Sequence, residues 1–198
     1  PQKEEFIQLL QQQLQTLKFG RSNAYDTEMG SLTSEGQLKR VTGFLQDAID
    51  KGVTVLGGQP RPEFGPFFIE PAIVVEPTED VNLNRNEVFG PVIQVYGYDD
   101  VDDAIAAAND SDFGLNASVL GPTNKALQVA RLLQAGSVNI NDGYRASFGS
   151  MSSPMGGVKL SGHGRRNGDG GLLRFTEPKA IGVASGLFKL PTRAKDYD

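Results

Sequence analysis

Between residues 91 and 141 the chain alternates short β-rich segments with amphipathic ones. The segments PVIQVYGY, LNASVL and SVNIN are rich in β-branched residues and predict strands. The two segments between them, DDVDDAIAAAND and TNKALQVARLLQAG, repeat apolar residues at helical spacing, and the second is expected to end at Gly136. Strand, helix, strand, helix, strand is typical of right-handed crossovers. We therefore predict an α/β fold in which helices flank a mainly parallel sheet.

The first 90 residues add two predicted helices and two β segments. The sequences EEFIQLLQQQLQTLKFG and TSEGQLKRVTGFLQDAIDKG have apolar residues at helical spacing, and Gly20 and Gly52 are expected to end these helices. VTVL predicts a short strand, and FFIEPAIVV predicts a longer β segment. Pro71 cannot donate to a ladder, so it restricts the second segment to an edge, a bulge or two shorter pieces.

After Asn141 about thirty residues show no regular periodicity, and many glycines lie between Gly143 and Gly171. Glycine here implies unusual backbone angles or close packing. We predict a long irregular loop that is functional or forms an assembly surface. The β-rich segment FTEPKAIGVAS that follows is expected to pair with a sheet of this chain or of a neighbouring chain.

Composition excludes several kinds of site. The chain has no cysteine and a single histidine, so we expect no disulfide, no thiolate nucleophile and no metal site. A net charge of -5 argues against binding of nucleic acid. No apolar run approaches the roughly 20 residues of a membrane span, and no signal-peptide pattern is present, so we expect no membrane partner and a cytoplasmic location.

The hexapeptide NEVFGP places Glu87 two residues before Phe89, ahead of the predicted strand that begins near Pro91. A carboxylate at a loop edge can accept two hydrogen bonds from a vicinal diol such as that of a ribose. A neighbouring aromatic ring offers a flat apolar wall to a planar ring such as nicotinamide. For the hexapeptide alone, the ordinary interpretation is an exposed loop glutamate with Phe89 packed in the core.

The order of the motifs favours the functional interpretation. The segments GGQPRPEFGPFFIEPAIV, EVFGPV, AIAAANDSDFGLNASV, QAGSVNIN and SPMGGVKLSGHGRRNGDGGLLRFTEPK follow one another at ordinary spacing. From about Glu5 to about Ser185 the chain resembles the C-terminal part of an aldehyde dehydrogenase catalytic domain. The resemblance implies that Glu87 binds the hydroxyls of the nicotinamide ribose and that Phe89 lines the nicotinamide pocket, with NAD or NADP as cofactor.

Two departures from the family's pattern refine the resemblance. Asn86 stands where a second acid is common, which is tolerable because one carboxylate contacts the ribose. The later motif also differs from the commonest pattern, since it has PMGG in place of PFGG and GRRNG in place of GRE. This variant resembles the motif of one branch of the succinate-semialdehyde dehydrogenases. The resemblance therefore implies a small aldehyde substrate, succinate semialdehyde being the expected one.

The loop from Tyr144 to Ser153 corresponds to the segment that closes the aldehyde tunnel in the family. The side chains expected to shape it are Tyr144, Arg145, Phe148, Ser150 and Ser153. A substrate that ends in a carboxylate would bind Arg145 or the serine hydroxyls. The alternative for each of them is a loop residue that faces solvent.

The family's mechanism implies what this chain lacks. A cysteine thiolate attacks the aldehyde, hydride passes to NAD(P)+, and water activated by a glutamate hydrolyses the thioester. These groups and the dinucleotide-binding domain are expected upstream, so we predict no catalytic residue here and no activity of the 198 residues alone. Residues 1–175 are expected to be part of the catalytic domain, and residues 176–198 an oligomerisation strand and tail of a homodimer or homotetramer.

Two alternatives stay open. The chain could be a noncatalytic self-association module that pairs through its terminal strand. It could also belong to a semialdehyde dehydrogenase that reduces acyl phosphates, although the EVFGP motif fits the aldehyde oxidisers better. The contact to the adenosine ribose, which distinguishes NAD from NADP, is expected upstream of these residues.

Overall fold

The structure, a computed structural model, describes residues 2–183 and divides into two compact units, Pro1–Asp112 and Phe113–Asp198. The elements of the first unit are α1 (Gln2–Gln15), α2 (Glu35–Asp50), β1 (Thr54–Gly57), β2 (Ala72–Val75), a 3-10 turn (Asn82–Asn84), β3 (Val92–Val95) and α3 (Val101–Asn109). Those of the second unit are β4 (Phe113–Gly114), β5 (Asn116–Val119), α4 (Thr123–Ala130), β6 (Ser137–Ile140), α5 (Arg145–Phe148), β7 (Val158–Lys159) and α6 (Gly168–Leu173).

Side-chain caps define where α2 and α3 begin. The Oγ atom of Ser34 accepts a hydrogen bond of 3.2 Å from the backbone N–H of Gln37, one of the first-turn donors that have no partner within the helix. The carboxylate of Asp100 accepts a bond of 2.7 Å from the N–H of Asp102 in the same way. The acidic residues at the start of α3 also interact favourably with the positive end of the helix dipole. Both α2 and α3 are therefore confirmed as predicted helices.

The first unit contains a three-stranded sheet in the order β1-β2-β3. β1 pairs with β2 antiparallel, and β2 pairs with β3 parallel. Pro71 acts as the sequence predicts: β2 begins at Ala72, and the earlier part of the β segment makes only an isolated bridge between Pro60 and Ile69. The predicted β segment is therefore two shorter pieces.

The core of the first unit lies between α2 and this sheet. Its fully or almost fully buried members are Val41, Leu45, Ala48, Ile69, Ala72, Val74, Val81 and Leu83. Burial of each large aliphatic side chain contributes about 1.5–3 kcal/mol. Because α2 supplies three of these residues, its position is fixed by the core, and it can support chain segments that contact its other faces.

The second unit contains the crossover that the alternating pattern predicts. β5 and β6 pair in parallel, with Asn116 opposite Ser137, and α4 connects them. A two-residue antiparallel pair, β4 with β7, completes the sheet structure of this unit in the described chain. α4 ends at Ala130, six residues before the predicted stop at Gly136.

The α/β class is confirmed, but the prediction of one mainly parallel sheet is wrong. Residues 2–183 form three small sheets, in which two of the four strand pairings are antiparallel. Periodicity identifies strands but carries no information on which strands pair, and β3 takes β2 as its partner. The irregular loop is also more ordered than predicted, because α5, β7 and the start of α6 lie within it.

Residues 176–183 contain no helix or strand, and residues 184–198 of the predicted oligomerisation strand lie outside the described residues. Nothing within residues 2–183 combines the helix length and the apolar character that a membrane crossing requires.

Candidate functional site

Residues 87–89 alternate between solvent and core as they approach β3. The side chain of Glu87 is exposed, and Val88 is half-buried against the core of the first unit. The ring of Phe89 is 75% exposed, which excludes the interpretation that it is a core residue. Val88 thus anchors the segment while its two neighbours remain free for contacts with a ligand.

Phe89 adopts a backbone conformation that bulky residues avoid. Its φ of +55° lies in the left-handed region, where contacts of the Cβ atom raise the energy. The cost of such a conformation is about 1–3 kcal/mol, and residues of this kind concentrate at active sites and ligand contacts. An exposed ring held in a strained conformation is difficult to explain by packing alone.

Two side chains of α2 hold the backbone of this segment. The amide nitrogen Nε2 of Gln37 donates hydrogen bonds to the carbonyl oxygens of Val88, at 3.1 Å, and Phe89, at 2.7 Å. Nη2 of Arg40 donates to the carbonyl oxygen of Glu87 at 2.8 Å. All three bonds reach main-chain oxygens, so the Glu87 carboxylate and the Phe89 ring are left unused.

Gly90 lets this segment approach α2 closely. A Cβ atom at Gly90 would lie 2.5 Å from Cγ2 of the buried Val41. On its far side the segment is joined to the sheet, because the N–H of Ala72 donates to the carbonyl oxygen of Pro91 at 2.8 Å. The positive φ of this segment belongs to Phe89, whereas Gly90 is required for close packing against α2.

The site has the chemistry that a sugar diol and a planar ring require. The carboxylate of Glu87 has no hydrogen-bond or ion-pair partner among residues 2–183, so both of its oxygens can accept bonds. The Phe89 ring likewise has no aromatic partner within that range. Glu87 and Phe89 both expose their side chains on one short segment, and these groups fit the hydroxyls of a ribose and the face of a nicotinamide ring.

Gln37 and Arg40 are not among the predicted site residues, although the sequence carries a signal for Gln37. Ser34 and Gln37 have the spacing of a capping box, in which the residue three positions after the cap reaches back to the cap. Ser34 makes its half of that motif, whereas the Gln37 amide nitrogen donates to residues 88 and 89. Such a long-range use of the side chain is visible only in three dimensions.

The residues predicted to shape a substrate loop lie in the second unit, from Tyr144 at the N-cap of α5 onward. The rings of Tyr144 and Phe148 pack with centroids 5.5 Å apart, and Phe148 is exposed. The hydroxyls of Ser150 and Ser153 are 2.7 Å apart. Arg145 is highly exposed, and its guanidinium lies 3.2 Å from the carboxylate of Asp142, so part of its charge is already compensated.

A buried amide that is not among the predicted site residues holds this loop. Asn139 of β6 is 2% exposed. Its Oδ1 accepts a bond of 2.9 Å from the N–H of Ser147, and its Nδ2 donates to Oδ1 of Asn116 at 2.8 Å. Asn139 thereby ties α5 to the parallel pair of strands. An asparagine at an inward position of a predicted strand was the available signal.

Each unit also has a cleft, and neither cleft is lined by a predicted site residue. The cleft of the first unit, about 340 Å³, lies between α1 and the sheet near Arg61, which pairs with Glu70 at 2.7 Å and also with Glu63. The cleft of the second unit, about 190 Å³, lies in the glycine-rich segment around His163. In the part of the chain that the structure describes, no three His, Asp or Glu side chains are grouped to hold a metal ion.

Comparison with known sequences points to one family. The model described as "Aldehyde dehydrogenase family" matches residues 2–181. "Putative succinate-semialdehyde dehydrogenase (NADP+) 2" of Mycobacterium ulcerans is 43% identical over 183 residues, which are 91% of this chain and 35% of that protein. Succinate-semialdehyde dehydrogenase (NADP+) of Deinococcus radiodurans is 37% identical over 179 residues, 90% of this chain and 37% of that protein.

Solved structures agree with this result. Betaine aldehyde dehydrogenase of Staphylococcus aureus in complex with NAD+ superposes with a TM-score of 0.83 and 32% identity, over 95% of this chain and 39% of that chain. An NAD+ complex of aldehyde dehydrogenase from Bacillus cereus gives a TM-score of 0.81 and 34% identity, over 88% of this chain and 35% of that chain. The chain thus spans little more than a third of the length of the proteins it matches.

Proposed function

Since the chain belongs to the aldehyde dehydrogenase family, we propose that it supplies the nicotinamide-facing part of an NAD(P)-dependent enzyme that oxidises a small aldehyde to its carboxylate. The observation that carries the proposal is the Glu87–Phe89 pair. An unpaired carboxylate and an exposed, strained ring lie two residues apart on a backbone held by α2.

Each residue of the pair has a distinct role in this proposal. The Glu87 carboxylate accepts hydrogen bonds from the two hydroxyls of the nicotinamide ribose and so sets the position of the sugar. The Phe89 ring packs against the nicotinamide and excludes water from one of its faces. The cofactor, when bound, supplies the acceptor for a hydride from the substrate carbon.

The oxidation also requires a nucleophile that this chain does not contain. No residue of the sequence is a cysteine. In the proposed reaction the thiolate that forms and later releases the thioester comes from other polypeptide, so the 198 residues alone are inactive.

For the substrate we propose succinate semialdehyde, which the names of two of the relatives support. Its carboxylate would be bound by the hydroxyls of Ser150 and Ser153, which lie close enough to act together. Tyr144 and Phe148 provide the adjoining apolar surface. Arg145 contributes less, because Asp142 competes for its guanidinium.

The test is the isosteric substitution Glu87→Gln in the complete protein that carries this chain, assayed with NAD+ and NADP+ in turn. A neutral amide makes weaker hydrogen bonds to a diol than a carboxylate does. We therefore expect the interaction free energy with the cofactor to weaken by about 1.5–3 kcal/mol, seen as a rise in cofactor KM or a fall in kcat of at least tenfold. Glu5→Gln, an exposed glutamate of α1, is the matched control and should change neither constant. Wild-type kinetics for Glu87→Gln would refute the proposed role of this residue.

A further inference from the structure

The two bonds from Gln37 converge on consecutive carbonyl groups, and this convergence requires an unusual backbone. In an extended chain successive carbonyl groups point to opposite sides. The carbonyls of Val88 and Phe89 both lie within hydrogen-bond distance of one nitrogen, Nε2 of Gln37. The left-handed φ of +55° at Phe89, the residue between those two carbonyls, turns them toward the same side, as helical conformations do.

The same bonds therefore stabilise the conformation that is costly for Phe89. Gln37 lies in the first turn of α2 and Arg40 lies three residues later, on the same side of the helix. The helix is fixed by its Ser34 cap and by the buried Val41. A rigid helix thus presents three donors to three consecutive carbonyls, and neither donor residue takes up the Glu87 carboxylate.

We propose that Gln37 and Arg40 are positioning residues for cofactor binding. They hold the backbone of residues 87–89 in the one conformation that presents carboxylate and ring together. The inference rests on the proposed function, because it assigns to α2 the preorganisation of the Glu87–Phe89 pair. Without these donors the segment relaxes, and binding of the cofactor then has to order it again.

The experiment measures cofactor Kd by fluorescence titration in the complete protein that carries this chain. Gln37→Glu keeps the size of the side chain but removes both N–H donors, and Arg40→Leu removes the third. We expect Kd to rise about tenfold for Gln37→Glu, which loses two hydrogen bonds, and severalfold for Arg40→Leu. Arg40→Lys retains one donor and should restore most of the affinity.

Matched controls come from the same helix. Gln46→Glu alters a glutamine that bonds only the side chain of Asp50 in the described structure, and Lys39→Leu removes a cation that pairs with Glu35. Both controls should leave Kd unchanged. Thermal unfolding of every variant verifies that it is folded, and equal Kd values for the controls and for Gln37→Glu would overturn the proposal.

A further comparison separates positioning from direct contact. In the double variant Glu87→Ala, Phe89→Gly the two groups that Gln37 positions are gone, so adding Gln37→Glu should change Kd less than twofold. A further tenfold rise there would overturn the proposal, since Gln37 would then act by another route. Normal cofactor binding by the double variant would overturn both the proposed function and this inference. Poor binding by the double variant, together with normal binding by Gln37→Glu and Arg40→Leu, would overturn this inference alone.

Discussion

At the scale of single residues, Phe89 combines exposure with strain. Its ring contributes little buried surface, because three quarters of it remains accessible. Its φ of +55° is one that only glycine adopts without cost. Stability alone would favour glycine at this position, so the presence of phenylalanine is consistent with a role in binding.

This reasoning predicts opposite effects of one substitution on stability and binding. Phe89→Gly should leave the free energy of unfolding unchanged or raise it by about 1 kcal/mol, while cofactor affinity falls at least tenfold. Phe89→Ala keeps the strain and should be less stable than Phe89→Gly by about 1 kcal/mol. Urea unfolding and cofactor titration measure the two effects. Greater stability of the alanine variant would contradict the assignment of strain.

A second residue, Asp47, should make stability depend on pH. Its carboxylate accepts bonds from the N–H and the side-chain amide of Asn82, at 2.8 and 2.9 Å, and it pairs with Lys51 at 2.9 Å. The hydrogen bond from the Asn82 N–H, with help from Lys51, lowers the pKa of Asp47 below its ordinary value of 3.8.

A carboxyl whose pKa is lowered in the folded state stabilises that state above the unfolded pKa and loses the effect as pH falls. The stability difference between the wild type and Asp47→Asn should therefore be constant near neutral pH and shrink as pH drops below 3.8. Urea unfolding of both proteins from pH 3 to 7 measures this difference. A difference that does not change with pH would show that the charge of Asp47 is not involved.

At the scale of elements, one buried amide connects the loop after β6 to the parallel strands. Removal of the Asn139 side chain leaves the N–H of Ser147 and the side-chain oxygen of Asn116 without this partner. Asn139→Ala should therefore lower the free energy of unfolding by about 1–3 kcal/mol and increase the rate of amide hydrogen exchange in α5. Denaturant unfolding and hydrogen exchange measure the two effects.

The matched control for this prediction is Asn124→Ala, which alters an exposed asparagine in the first turn of α4. It should change stability by no more than about 0.5 kcal/mol. Equal stability of the two variants would mean that the bonds of Asn139 contribute nothing to holding the loop.

At the scale of the whole molecule, large hydrophobic side chains are exposed along the described end of the chain. They are Leu172, Leu173, Phe175, Ile181 and Val183, each at least 61% exposed. Exposed apolar side chains that lie together are typical of association sites. Ile181 and Val183 belong to the segment from residue 176 onward, and their exposure supports the proposal that this segment joins subunits of a homodimer or homotetramer.

Deletion of residues 176–198 from the complete protein should therefore lower the number of subunits in the assembly, as measured by size-exclusion chromatography with light scattering. Phe175→Ser with Ile181→Ser should weaken association in the same direction, because the buried apolar contacts are lost. Tyr25→Ser, which alters a fully exposed ring of the first unit, is the control and should leave the mass unchanged. A monomer both with and without the segment would end this proposal.

Much of the local structure could be predicted because it depends on neighbours in sequence. Apolar spacing identified α2 and α3, Pro71 divided the β segment, and the pattern around α4 predicted the β5–β6 pair. The roles of Glu87 and Phe89 in cofactor binding stay predictions that come from the resemblance of ordered motifs, and the structure adds the exposure of both side chains. The partner of β3 and the division into three sheets could not be predicted, because strand pairing depends on contacts between distant residues.

The amino-acid sequence by itself determined the α/β class, the membership in a family and the absence of a cysteine nucleophile, since each depends on residue identity and order. Only the tertiary structure decided how the site is held. The strain at Phe89, its carbonyl bonds to Gln37 and the burial of Asn139 arise when residues far apart in the chain meet. Backbone conformation at such points is set by those long-range contacts, and a bulky residue in the left-handed region runs against its own local preference.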